Sequence, residues 1–155
     1  MFVPLSVLEF RDRAASYVGD KIGVVDGDTA LTYRAWAGRT HRLANALVDL
    51  GVEPGDRVSF ITYNTHHLLE GYYGVLEAGA VLNPINIRLT PHEIAYILEH
   101  AGSRVVVFHR DFTPLECLPD DCLLEPYDVP LPWRDGTPAS ELGPIDLSDP
   151  IDSSA

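Results

Sequence analysis

Apolar and polar positions change their spacing along this chain, and the changes mark out its predicted elements. Residues 58–62 form a short run of β-branched and aromatic residues, as in a buried strand. A mainly apolar segment follows between Asn64 and Gly79, and residues 81–83 are strand-like again. A strand that returns after a helix is normally parallel to the first strand. This β-α-β unit therefore predicts a parallel sheet with helices on both faces.

The helix of this central unit has recognisable ends. Asn64 is expected to cap its start, and Gly79 to end it, since glycine adopts the left-handed conformation without a Cβ clash. Pro84 closes the strand that follows. The helix is apolar nearly all round, which predicts that it is buried. Its large apolar residues are Leu68, Leu69, Tyr72, Tyr73, Val75 and Leu76.

A first helix is predicted near the N-terminus, over residues 7–18. Ser6 and Glu9 have the spacing of a capping box, in which each satisfies a backbone N–H at the start of the helix. Leu5 and Phe10 are placed as the hydrophobic staple that accompanies such a box.

A β-hairpin and a second helix come next. Residues 22–25 and 30–33 are strand-like, and Gly27 between them suits a tight turn with positive φ. Thr32 can cap the following helix, and Gly51 stops it. Its predicted core positions are Trp36, Thr40, Leu43, Ala44, Leu47 and Val48, and its predicted exposed positions are Arg34, Arg39, Arg42 and Asp49.

The last predicted helix begins at a strong start signal, because Thr90 can cap it, Pro91 suits its first position and Glu93 can complete a capping box. Gly102 ends it before a strand at residues 104–108. The residues that face the core are Ile94, Ile97 and Leu98. The fold class is therefore α/β: an N-terminal helix and a β-hairpin, then βαβ units of a parallel sheet covered by helices.

The composition changes after residue 110. Eight of the 12 prolines lie between Pro114 and Pro150, and no periodic apolar pattern continues among them. Residues 111–155 carry eleven acidic residues and one basic one, so most of the net charge of −12 lies there. We therefore divide the chain into a partial α/β domain at 1–110 and an acidic, proline-rich tail or linker at 111–155.

Composition excludes several classes of protein. A clustered basic surface is absent, which argues against nucleic-acid binding. Cys117 and Cys122 have no second cysteine pair to complete a zinc site, and free thiols are expected. The N-terminus has neither the basic flank nor the long apolar run of a signal peptide, and no membrane span is visible. These features predict a cytoplasmic protein.

Motifs that carry catalytic chemistry are missing. The chain has no G-x-G-x-x-G, G-x-x-x-x-G-K-[ST], G-x-S-x-G or H-E-x-x-H pattern. Lys21 is its only lysine and does not lie in a glycine-rich turn. The nearest constellation is His66, His67 and Glu70, since His66 and Glu70 share a helix face and could hold a metal or a proton. Because a third ligand is not identifiable, no metal site is predicted, and packing or capping roles are expected.

Other candidates in the same region have a structural and a functional interpretation. Gly71 and Gly74 favour tight packing against the sheet, and Tyr72 and Tyr73 favour the core over a cofactor stack. Arg88 follows a strand end, where α/β proteins place ligands. It could equally pair with Glu93 or Glu99.

Several segments together resemble the N-terminal part of AMP-forming acyl-CoA synthetases, the adenylate-forming family of fatty-acid and aryl-acid CoA ligases. The resemblance runs from near Pro4 to at least Phe108. Its segments are Leu31-Thr-Tyr33, Gly51-Val-Glu-Pro-Gly-Asp-Arg57, Asn64-Thr65, Ala78-Gly-Ala80 and Asn83-Pro-Ile-Asn-Ile-Arg-Leu-Thr-Pro91. Residues 144–152 resemble the acidic run that precedes the family's phosphate loop.

The resemblance implies a ligase that uses ATP and Mg²⁺ to convert a carboxylate into an acyl-adenylate, and then transfers the acyl group to CoA. The family's phosphate loop, adenine motifs and C-terminal lysine are not found in this sequence. The matching segments are architectural in the family, so no catalytic, cofactor-binding or metal-binding residue is assigned. We therefore expect an N-terminal fragment that is inactive alone.

A fragment of this kind is expected to have binding partners. They are the missing C-terminal portion of the ligase or a complementing chain, and self-association is possible. Two alternatives remain open, namely a non-catalytic docking subunit and a small stand-alone α/β ligand-binding module.

Overall fold

The computed structural model describes residues 6–112 and 123–126. Leu5, Cys117, Cys122 and residues 144–152 lie outside the described residues. In chain order the elements are α1 (Val7–Tyr17), β1 (Ile22–Asp26), β2 (Thr29–Thr32), α2 (Tyr33–Asp49), β3 (Arg57–Ile61), α3 (His66–Glu77), β4 (Val81–Pro84), α4 (Pro91–Ala101), β5 (Ser103–Phe108), a 3₁₀ turn (Arg110–Phe112) and β6 (Leu123–Pro126). None of the helices described here is long and apolar enough to cross a membrane.

The main sheet is parallel and has the strand order β4-β3-β5-β6. Strand β3 lies between β4 and β5, with Val58 opposite Leu82 on one side and Val105 on the other. The predicted β-α-β unit with a parallel sheet is therefore confirmed. Strands β1 and β2 form the predicted antiparallel hairpin, a separate two-stranded sheet. Its turn contains Gly27 at φ +55°, as the sequence predicted.

Apolar side chains fill both faces of the sheet. On one face, helices α2 and α3 pack against the strands, and on the other face α4 does so, which confirms the predicted cover. The first face contains Leu43, Ala44, Leu47, Val58, Phe60, Val75, Ala78, Val105 and Val107. The second face contains Ile61, Ile85, Ile94, Leu98, Val106 and Phe108. The core thus consists of two layers separated by the sheet.

Strand β6 was not predicted from the sequence. It pairs in parallel with β5, with Val105 opposite Leu123 and Phe108 opposite Pro126. A four-residue strand between prolines is too short to show periodicity, so the expectation of a structureless run after residue 110 is wrong at this point. The division of the chain at residue 110 stays a prediction.

The apolar composition of helix α3 predicted that it is buried all round, and this prediction is wrong. Its buried residues are Glu70, Gly71, Gly74 and Val75, whereas Tyr72 is 45% exposed and Leu76 41% exposed. The helix packs on the sheet and on α2 and also contacts α1 and the hairpin, and Tyr72 and Leu76 lie on the side that stays exposed. Apolar composition alone does not reveal which side of a helix has no neighbour.

Helix α1 is attached to the rest of the fold through a buried charge. Arg11 is 2% exposed and donates hydrogen bonds to Thr40 of α2 and to Glu77 of α3. Asp12 accepts a further bond from the same guanidinium. A buried arginine is tolerated only when it is paired in this way. Phe10, on the same helix, is exposed.

Two glycines of α3 allow close contacts. A Cβ on Gly71 would lie 2.8 Å from Phe60 of the sheet, which confirms the predicted packing there. A Cβ on Gly74 would lie 2.8 Å from Leu43, so this glycine packs against helix α2 and not against the sheet. The clash at Gly74 includes the Leu43 Cβ, which cannot move without the helix backbone.

We predict opposite effects for two glycine-to-alanine substitutions. Gly74→Ala should destabilise the fold, because an overpacking cost of about 1–3 kcal/mol exceeds the helix-propensity gain of about 1 kcal/mol. Gly38→Ala should stabilise it by about 0.5–1 kcal/mol, because alanine is the better helix former. The nearest atom to a Cβ on Gly38 is 3.6 Å away, which is an ordinary contact. Urea denaturation measures both, and equal effects would contradict the packing described for Gly74.

The exposure of α3 also predicts a difference between two leucines. Leu98 of α4 is fully buried, so Leu98→Ala should lower the free energy of unfolding by about 2–5 kcal/mol. Leu76→Ala, at a half-exposed site, should cost less than about 1 kcal/mol. Thermal and urea unfolding of the chain measure both variants. A larger loss at Leu76 than at Leu98 would show that α3 is covered on the side described here as open.

Candidate functional site

Polar side chains gather where β3 ends and α3 begins. From β3 the chain moves to β4 on one side, and it later returns to β5 on the other side. In parallel α/β sheets, ligands bind outside the carboxyl ends of the strands at such a reversal. We call the polar residues found there the switch-point cluster. It consists of Asp26, Arg39, His66, His67 and Glu70.

Asp26 of the hairpin caps helix α3. Its Oδ2 accepts a hydrogen bond from the His66 backbone N–H at 2.8 Å and another from His66 Nδ1 at 2.7 Å. These two bonds hold the pKa of Asp26 below its ordinary value, and the bond from the His66 side chain has the larger effect. The predicted cap at Asn64 is wrong. Thr65 occupies the cap position, and its side chain makes no capping bond.

Glu70 is buried and paired with Arg39. Arg39 Nε donates to Oε1, and Nη2 donates to Oε2 at 3.2 Å. Burial raises the pKa of Glu70, and the Arg39 charge opposes this rise. The sequence placed Arg39 on the exposed face of α2, and that is wrong, because Arg39 turns toward this partner on α3. Val48, predicted as core on the same helix, is instead 54% exposed.

His67 completes the cluster as a neutral base. Burial lowers the pKa of His67 well below its ordinary value, and electrostatic interactions with neighbouring groups, among them the Arg39 guanidinium, act in the same direction. The rings of His66 and His67 lie 3.6 Å apart between centroids. One ligand atom from each of His66, His67 and Glu70 lies within 4.8 Å of the others. The sequence reasoning found only two ligands on one face, whereas the structure brings a third to them.

An aromatic group that the sequence reasoning missed lies at the same edge of the sheet. Tyr63 follows β3, and His109 and Phe112 follow β5. The ring of Tyr63 contacts His109 at 5.1 Å and Phe112 at 5.0 Å between centroids. The Tyr63 hydroxyl donates to Asp111 at 3.2 Å. The position of these residues directly after predicted strands was the signal that could have identified them.

The remaining candidates do not join the cluster. Tyr73 packs edge-on against Trp36 at 4.7 Å, as a core residue would, but Tyr72 is exposed and the core prediction for it is wrong. Arg88 is exposed, and within residues 6–112 it forms no ion pair with Glu93 or with Glu99. Glu93 completes the predicted capping box of α4 by accepting from Thr90.

The N-terminus of each described helix already holds a side-chain acceptor. A helix start attracts anions because its first N–H groups are unpaired. Ser6, Thr32 and Thr90 already accept such bonds in α1, α2 and α4. Asp26 does so in α3 and adds a negative charge. In each described helix, one of the first N–H groups is thus already hydrogen-bonded to a side chain.

Comparison with known proteins points to one family. A sequence model described as "AMP-binding enzyme" matches residues 10–138. A 3-methylmercaptopropionyl-CoA ligase from Ruegeria pomeroyi is 40% identical over 119 residues, covering 74% of this chain and 22% of the ligase. A 4-hydroxybutyrate–CoA ligase from Metallosphaera sedula is 43% identical over 108 residues, covering 70% of this chain and 20% of the ligase.

A solved structure gives the same result. The fold is similar to that of a benzoate CoA ligase from Burkholderia xenovorans, with a TM-score of 0.70 and 28% identity. The similarity covers 75% of this chain and 24% of that structure. The chain spans about a fifth of the length of the curated relatives it matches.

We predict that Asp26 stabilises the fold by capping the N-terminus of helix α3. Asp26→Ala should cost about 0.5–2 kcal/mol of folding free energy, as the loss of a helix cap typically does. Asn64→Ala, the matched control at the residue that the sequence favoured, should stay within about 0.5 kcal/mol of the parent. Urea denaturation at neutral pH measures both. The assignment fails if the Asn64 variant is the less stable of the two.

Proposed function

Because this chain belongs to the AMP-binding enzyme family, we propose that it forms the N-terminal part of an AMP-forming ligase that joins a fatty or aromatic carboxylic acid to CoA. The observation that carries the proposal is the family match over residues 10–138. Relatives named as CoA ligases at 40% and 43% identity support it. A position in the cytoplasm is part of the same proposal.

The proposed reaction has two steps. The carboxylate attacks the α-phosphate of ATP, which gives an acyl-adenylate and releases pyrophosphate. The CoA thiol then attacks the acyl carbon and displaces AMP. Both steps develop negative charge on phosphate oxygens, which an enzyme must neutralise with fixed donors, lysines or a metal ion.

The residues described here are suited to a scaffold for this chemistry. The only lysine, Lys21, precedes the hairpin, and the N-terminus of each described helix already has an acceptor. We propose that these residues bind none of ATP, Mg²⁺ and CoA. We propose that the catalytic groups come from other parts of the ligase.

The partner in this proposal is the remainder of the ligase, in the same polypeptide or as a complementing chain. Among the described strands, β4 lies at an edge of the sheet, and Val81 in it is 50% exposed. The exposed side of α3 carries Tyr72 and Leu76. Open strand edges and exposed apolar side chains favour association with further protein. In isolation the same surfaces favour self-association.

Two measurements test the proposal. The isolated chain should show no binding in calorimetric titration with MgATP and no acid-dependent exchange of pyrophosphate into ATP. A chimera in which residues 10–108 replace the matching segment of the Ruegeria pomeroyi ligase should exchange pyrophosphate with 3-methylmercaptopropionate, the acid in that enzyme's name. The unmodified ligase and a ligase without the segment are the controls.

The outcomes separate the alternatives. A folded but inactive chimera would contradict the proposed architectural role. Binding of MgATP by the isolated chain at micromolar concentration would favour a stand-alone ligand-binding module. Activity restored by mixing the isolated chain with the ligase that lacks the segment would assign it as a complementing subunit, which the proposal includes.

A further inference from the structure

We propose that His66, His67 and Glu70 form a binding site for one divalent transition-metal ion, with Zn²⁺ as the best-matched ion. Two imidazoles and one carboxylate are a ligand set that zinc uses in proteins, with the fourth position left to water or a ligand. One ligand atom from each side chain already lies within 4.8 Å of the other two. This inference is independent of the proposed ligase activity, which uses ATP and Mg²⁺.

The backbone of α3 brings the three side chains together. His66 and Glu70 are four residues apart and His67 and Glu70 are three apart, so each pair shares a face of the helix. Ligand atoms around a tetrahedral zinc ion are separated by about 3.3 Å, given metal–ligand distances of about 2.0–2.1 Å. The three ligand atoms must therefore move closer together when the ion binds.

His66 and Glu70 have outer partners of the kind that metal sites use. A histidine ligand usually donates its second ring N–H to a carboxylate, and ligating carboxylates are themselves hydrogen-bonded. His66 donates Nδ1–H to Asp26 at 2.7 Å, so Nε2 is the nitrogen left for the ion. Arg39 holds both oxygens of Glu70 and leaves each oxygen a second lone pair.

Charge and polarity at the site are compatible with a cation. Asp26 and Glu70 supply two carboxylates, Arg39 contacts Glu70 directly, and Arg42 is near enough to act on the same carboxylate. Thr65 immediately precedes His66, and its Oγ1 is buried without a hydrogen-bond partner among the described residues. A metal-bound water could satisfy this hydroxyl, because a buried unpaired hydroxyl is costly otherwise.

The test uses the purified chain with both cysteines replaced by serine (C117S and C122S), so that thiolates cannot bind the ion. Isothermal titration with ZnCl₂ should give one ion per chain. His66→Ala and His67→Ala should each weaken binding at least tenfold. His92→Ala is the matched control, because His92 is exposed on α4 and outside the cluster; it should bind as the parent does. Titration with Co²⁺ should give visible absorption bands that the two cluster variants lose.

Asp26→Asn provides a second variant, which keeps an oxygen to cap α3 but removes the charge that orients His66. It should weaken zinc binding about 10- to 100-fold, the usual effect of losing an outer partner. Circular dichroism without metal establishes that each variant is folded. If an alanine variant is unfolded, the Asp26→Asn variant provides the test in its place. The site is contradicted by an absence of zinc binding, by undiminished binding in the folded cluster variants, or by an equal loss in His92→Ala.

Discussion

The central strand β3 is the constraint on which the rest of the structure depends. Residues Val58, Ser59, Phe60 and Ile61 are each no more than 1% exposed. A strand buried on both faces can keep its backbone polar groups paired only if neighbours flank it on both edges. Strands β4 and β5 supply those neighbours, and α3 and α4 return the chain to them. The order of elements after residue 57 follows from this requirement.

The outer layers are joined by charges in addition to apolar contacts. Arg11 links α1 to Thr40 and Glu77, and the pair of Arg39 and Glu70 links α2 to α3. Each charge would be costly if its partner were removed, so these contacts specify how the helices align more than they add stability. The same layer contains the proposed zinc ligands. Their position therefore depends on how α2 and the hairpin dock against α3.

What the sequence could predict follows from how local each interaction is. The Thr90 capping box and the turn at Gly27 depend on residues within a few positions of one another, and both were predicted. The β-α-β unit was predicted from the pattern within each of its segments and from the usual parallel return of such a chain. Asp26 caps a helix that begins 40 residues later, and no local pattern reports such a contact. The pairing of Arg39 with Glu70 and the exposed side of α3 likewise depend on which elements are neighbours in space.

The family match over residues 10–138 supports the proposed architectural part of this chain in a ligase. The central physical claim is that β3 organises this part, and amide hydrogen exchange of the isolated chain tests it most directly. The amides of residues 58–61 should be the slowest and should exchange only through global unfolding, whereas those of α1, which is anchored mainly through Arg11, should exchange earlier. Exchange of the β3 amides at the rate of the α1 amides would contradict the account.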